Sequence, residues 1–205
     1  MARNENPPFD MGNTFYNLFV ATTQSTNDGV QYEGADWVFE DYNPITKVYR
    51  SEQKKRCRLV RNISGGALLP SRLVNLATAP NANGIYGGQV DGYASVLAQR
   101  AYPLDEFLPA AGLQNNDIGY VVVEGPAVVL TDLAALTAVI NPGDAVVAQT
   151  AATSGATTAG RVEKQDLTGA TAALGNMIMN YVGRAMSAAT TANTGAALLV
   201  YVGHM

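Results

Sequence analysis

GYVVVEGPAVVLT, Gly119–Thr131, runs Val and Ala almost without alternation. A strand with one wet face alternates polar and apolar positions, so an unbroken apolar run of this length predicts a strand covered on both faces. Gly125-Pro126 in its middle predicts a bend or a turn. Material must pack on either side of such a strand, and the flanking sequence supplies further strands.

Upstream, DWVFED (36–41) and TKVYR (46–50) flank Asn43-Pro44, a pair that initiates turns, and together they predict a hairpin. A basic run follows, Lys54, Lys55, Arg56, Arg58 and Arg61, in which Arg56 and Arg58 alternate with Cys57 and Leu59 as a half-buried strand requires. LLPSRLVNLA (68–77) resumes an apolar pattern whose proline suits an edge strand. The Asn- and Gly-rich stretch 81–88 reads as loop. PLDEFLPAAG (103–112) has room for a single helical turn between prolines.

Downstream, NPGD (141–144) places Pro and Gly at the centres of a type II turn that leads into DAVVAQT, with RVEK (161–164) as its paired strand. MIMNYVGRAMSAAT and GAALLVYVG predict a last hairpin across residues 191–194. The Ala-rich pieces 133–140 and 170–179 favour one or two short helices. Strands recurring at short spacing between Gly, Pro, Asn and Thr loops predict a mostly β fold, a compact β-sandwich or small barrel over 36–205. Residues 1–35 are polar and read as an extended N-terminal arm, whose apolar cluster Phe15, Tyr16, Leu18 and Phe19 either docks on a neighbouring subunit or packs as a strand or helix on its own domain.

Composition narrows the function. With 205 residues the chain builds one domain of ordinary size. A net charge of −4 argues against nucleic-acid binding, which calls for a basic excess. No stretch reaches the roughly 20 apolar residues of a spanning helix, and Met1–Asp10 is not a secretion signal. The expectation is therefore no membrane and no nucleic-acid partner.

One Cys, Cys57, and one His, His204 at the C-terminal end, give no disulfide framework, no zinc set and no Ser-His-Asp triad. Cys57 reads as a core residue rather than a nucleophile, for want of an activating partner. Neighbouring residues on a strand point to opposite faces, so Glu40-Asp41 and Asp105-Glu106 read as solvated surface or turn carboxylates. No glycine-rich stretch matches a phosphate loop. The expectation is no catalytic, cofactor or metal residues.

The remaining candidates are contacts. The basic run Lys54, Lys55, Arg56 and Arg58 reads either as a patch docking on an acidic partner or as a solvated strand edge whose charges discourage aggregation. Trp37 belongs with these interface candidates. A rival role is a carbohydrate or host-surface adhesion module, with Trp37, Tyr42, Tyr49, Tyr86 and Tyr93 as its aromatic platform.

RLVRNISGGALLPSRLV (58–74), DGYASVLAQRAYPLDEFLPAAGLQNNDIGYVVVEGPAVVL (91–130) and VGRAMSAATTANTGAALLVYVG (182–203) resemble the capsid decoration, or cement, proteins of tailed bacteriophages. The shared pattern is a strand ending in Asn-x-Ser-Gly, a Leu-Pro-x-Arg step, an Asp-Glu-Phe-Leu-Pro-Ala-Ala-Gly connection and a buried strand with Glu-Gly-Pro-Ala. The resemblance spans about residues 36–202. It implies a β domain on the outer surface of a phage head that is made in the host cytoplasm. It also implies the major capsid protein and its own copies, as a homotrimer, for partners.

Overall fold

The computed structural model describes residues 11–12, 33–81, 84, 86–94, 100–131, 139–148, 160–165, 181–189 and 195–203. Among them are ten strands: β1 (Asp36–Asn43), β2 (Val48–Asn62), β3 (Leu73–Leu76), β4 (Gln89–Tyr93), β5 (Ala101–Pro103), β6 (Ile118–Leu130), β7 (Ala145–Ala148), β8 (Val162–Lys164), β9 (Tyr181–Ala185) and β10 (Ala197–Val202). The protein is mostly β, and its sheet runs β5-β3-β4-β2-β6-β10-β9-β7-β8 with β1 attached to β2. The Ala-rich segments 133–138 and 170–179, His204, and Phe15, Tyr16, Leu18 and Phe19 lie outside the described residues.

The long apolar run is one strand, β6, and both its faces are covered. Ile118, Tyr120 and Val122 enter one core cluster with Cys57 and Leu59, while Val121 enters another with Val60, Val74, Val90 and Leu113. Gly125 bends the strand without ending it. At φ +103° it takes a backbone shape that other residues adopt only under strain, and a Cβ there would stand 2.5 Å from the Lys54 carbonyl oxygen. Before the bend β6 pairs with β2, and from Gly125 onward it pairs with β10. One strand thus belongs to two half-sheets.

Each half curls. In the first, Leu104 follows β5 and bridges to Val121, and the Asp105 N–H donates to the Tyr120 carbonyl at 2.9 Å, so the outer edge of the half-sheet returns to β6. In the second, Val162 of β8 bridges to Thr131 at the end of β6. A third core cluster, including Val129, Val146, Val182, Leu198 and Val200, fills that half. This is the small-barrel character that the strand spacing predicts.

Local expectations meet different fates. The 36–50 hairpin, the Asn141–Asp144 turn with Gly143 at φ +91°, and the β7–β8 and β9–β10 pairings all form. The 103–112 segment makes turns, with the Gly112 N–H donating to the Pro109 carbonyl. The edge expected at 68–77 is corrected. Pro70 precedes β3, which lies inside the sheet between β4 and β5. Pairing also begins before Asp36: the Gly34 N–H donates to the Leu59 carbonyl at 2.8 Å, and Glu33 is buried against Arg61 and Asn81.

Candidate functional site

β1 and β2 extend beyond the body. β6 pairs with β2 only over Arg56–Arg61 and β4 only at Arg61–Asn62, so Val48–Lys55 has β1 as its one strand partner among the described strands, in a two-stranded ribbon. Its tip is a tight turn: Lys47 sits at φ 58° and donates its N–H to the Asn43 carbonyl at 2.8 Å. The Asn43 side chain accepts from the N–H groups of Ile45 and Thr46 at 2.9 and 3.1 Å. Tyr42 and Tyr49 face each other across the strands with ring centres 5.1 Å apart. The Glu40 carboxylate, hydrogen-bonded to the Tyr49 hydroxyl, pushes the phenol pKa up.

Apolar side chains stand exposed along this ribbon. Ile45 is 76% exposed, Tyr49 62%, Val38 57% and Val48 57%, and Tyr42 is exposed as well. Val38, Tyr42 and Tyr49 line a groove of ≈ 400 Å³ together with Met11 and Pro44. An isolated two-stranded ribbon is marginal in water, and grouped exposed apolar side chains mark interaction surfaces.

Charge braces the base of the ribbon. Four residues of β2, Arg50–Gln53, stand against the single Asp41 of β1, a bulge that turns Arg50 and Ser51 inward. The Arg50 guanidinium donates to Asp41 at 2.5 Å and to both Glu106 oxygens at 2.8 Å, and Ser51 Oγ donates to Asp41 at 2.9 Å. Lys55, fully buried, donates to Glu106 at 2.7 Å and lies 3.2 Å from Asp41. The Phe107 ring sits against both cations, 5.6 Å from Arg50 and 5.2 Å from Lys55. Burial works against the Asp41 charge, yet the Arg50 hydrogen bond and the Lys55 charge outweigh it and hold that carboxyl below the ordinary range.

Asp105 adjoins this cluster. Its oxygens accept N–H donations from Gly12 at 2.5 Å and Phe107 at 3.0 Å, which ties Met11–Gly12 to the body beside Cys57. Burial pushes its pKa up to about 6, against the pull of those two donors. An unfolded aspartate releases its proton near 3.8, so this group favours folding below that pH and the contribution fades as pH rises through about 6. On the order of 3 kcal/mol is at stake. Asp105→Asn is expected to remove the fade: from about pH 4 to about pH 7 the wild type loses more urea resistance than the variant. A variant whose urea midpoint tracks the wild type across that window refutes this.

Of the carboxylates expected at the solvated surface, Glu40 is exposed, and the other three are corrected. Asp41 and Asp105 are buried and the Glu106 side chain is nearly covered, because β2 carries matching cations into the same space, while Asp105 keeps a turn role. The solvated-edge reading of the basic run is corrected too. At Arg56–Arg58, β2 is paired on both sides. Lys55 is buried, Arg58 donates to Asp36 at 2.7 Å, and Arg56 lies 3.5 Å from Asp36 and 3.2 Å from Glu124. Lys54 alone of these stays exposed without an ion pair among the described residues, opposite Glu40 on the ribbon.

Trp37 packs against the Cys57 core cluster, and Tyr93 against another, so the aromatic platform is dispersed apart from Tyr42 and Tyr49. Cys57 is fully buried, and burial pushes its thiol pKa up, away from the reactive thiolate. Among the described residues no group of three or more His, Cys, Asp or Glu side chains is disposed to hold a metal ion.

The exposed Val38, Ile45 and Val48 escape sequence reasoning, although a signal exists. Trp37, Val38 and Phe39 are apolar at both strand parities, and a ribbon with one covered face cannot bury both. No protein-family model, curated protein or solved structure matches the chain.

Proposed function

We propose that this chain is a structural subunit of a tailed-phage head, a decoration protein that docks on the outer capsid surface as a homotrimer and reinforces the shell without catalysis. The observation that carries the reading is the ribbon: a projecting apolar tip on a base locked by Asp41, Arg50, Lys55 and Glu106. Such a tip keeps its shape before contact, so docking spends little on ordering it. The resemblance of 58–74, 91–130 and 182–203 to decoration proteins supports the reading of a phage head as its place.

Purified protein is expected to add stoichiometrically to expanded heads that lack it and to raise their heat resistance. Ile45→Asp combined with Val48→Asp is expected to weaken head binding by about 100-fold or more, from the apolar burial lost. Thermal unfolding should barely change, because both side chains are already in water. Unchanged binding by the double variant overturns the ribbon as the contact, and no saturable binding by the wild type overturns the decoration role. The exposed Tyr42–Tyr49 pair favours glycan binding. A glycan screen in which Tyr42→Ala abolishes a specific signal establishes that second reading instead.

A further inference from the structure

Arg161 is a buried cation without a counterion among the described residues. It precedes β8 and is fixed from both sides: the Gly160 carbonyl accepts the Leu73 N–H at 2.6 Å, and Val162 pairs with Ala148 and bridges to Thr131. The residue is 9% exposed, and neither Nε nor Nη1 has a hydrogen-bond partner. Its Nη2 lies beside Gly195, held at φ +78°, where a Cβ would come within 3.6 Å.

The contrast with the rest of the molecule is sharp. Lys55 is buried as deeply and meets two carboxylates, and Arg61 has Glu33. A guanidinium stays charged at any pH where proteins fold and presents five donors in a planar fork. Burial without an acceptor is therefore costly, and an oxyanion is the group whose geometry answers it.

We propose that Arg161 is an anion-binding site, which takes a small free oxyanion of the phosphate, sulfate or carboxylate class at the Nη2 side of its guanidinium. The test is thermal unfolding of the full chain in inorganic phosphate against chloride at matched ionic strength, for wild type, Arg161→Met and Arg161→Lys. Saturating phosphate is expected to raise the wild-type Tm by roughly 5 °C. Arg161→Met is expected to be more stable than wild type in chloride, since an uncompensated charge is gone, and to lose the phosphate response. Arg161→Lys keeps a charge without the fork and is expected to show a smaller response. The proposal is overturned if the wild type shows no phosphate-specific rise. It is also overturned if Arg161→Met responds as the wild type does, which is general salt exclusion, or if it is less stable in chloride.

Discussion

Lys55→Met is expected to cost about 3–5 kcal/mol of stability and to lower the urea midpoint by roughly 1–2 M. Methionine keeps most of the aliphatic stem, so the loss isolates the ammonium. Lys55 is fully buried, and its Nζ serves Glu106 and Asp41 at once. Without it both carboxylates rely for positive charge on Arg50, which already divides its donors between them, and Ser51 donates only to Asp41. Removing one member of a buried ion group leaves the rest incompletely paired in a medium that solvates charge poorly, and that is the expensive case. The matched control is the next residue along the strand. Lys54 is exposed, and Lys54→Met is expected to stay within about 0.5 kcal/mol of the wild type. Equal, small losses for the two variants would mean that the ribbon is held by its backbone and apolar contacts alone.

Gly125→Ala is expected to be comparably severe, about 3–5 kcal/mol, or to leave no soluble protein. Two costs coincide. The residue sits at φ +103°, and its Cβ would lie 2.5 Å from the Lys54 oxygen and 3.0 Å from the Lys55 Cα. Those obstacles are backbone, which cannot swing aside as a flexible side chain would. Gly143→Ala separates the two costs, because Gly143 has φ +91° with nothing within 4 Å of its added methyl. It is expected to lose only about 1 kcal/mol. Thermal melts of the pair decide the matter: if the Gly125 variant loses no more than the Gly143 variant, β2 gives way easily and the bend is not a point of rigid contact.

What the chain disclosed about itself follows the range of the interactions involved. β6 was legible because burial on both faces leaves an unbroken run in one short window, and the Asn43-Pro44 and Asn141–Asp144 turns were legible because their chemistry is local. The Arg56–Cys57–Arg58–Leu59 alternation likewise gave Cys57 its buried place. The closure of the first half was not legible, since Leu104 meets Val121 through a fold that no local pattern encodes. Nor was the ion cluster: Asp41, Lys55 and Glu106 come from separate parts of the chain, and each alone reads as a surface charge. Arg161 is illegible for the same reason, because an arginine at the head of a short strand gives no hint that it lacks a counterion among the described residues.

The strand order has a consequence for how the molecule comes into being. β10, last of the ten strands along the chain, does not add to an edge but enters between β6 and β9. Until it arrives, the second half of β6 has no partner among the described strands, and β7, β8 and β9 meet the rest of the sheet through no full strand pairing, only through contacts such as the Val162–Thr131 bridge and the Leu73–Gly160 hydrogen bond. Assembly of the second half must therefore await nearly the whole described chain, with pairings that close long loops late and slowly. During that interval Val128 and Val129 stand on an open strand edge, the kind of surface on which newly made chains pair with one another.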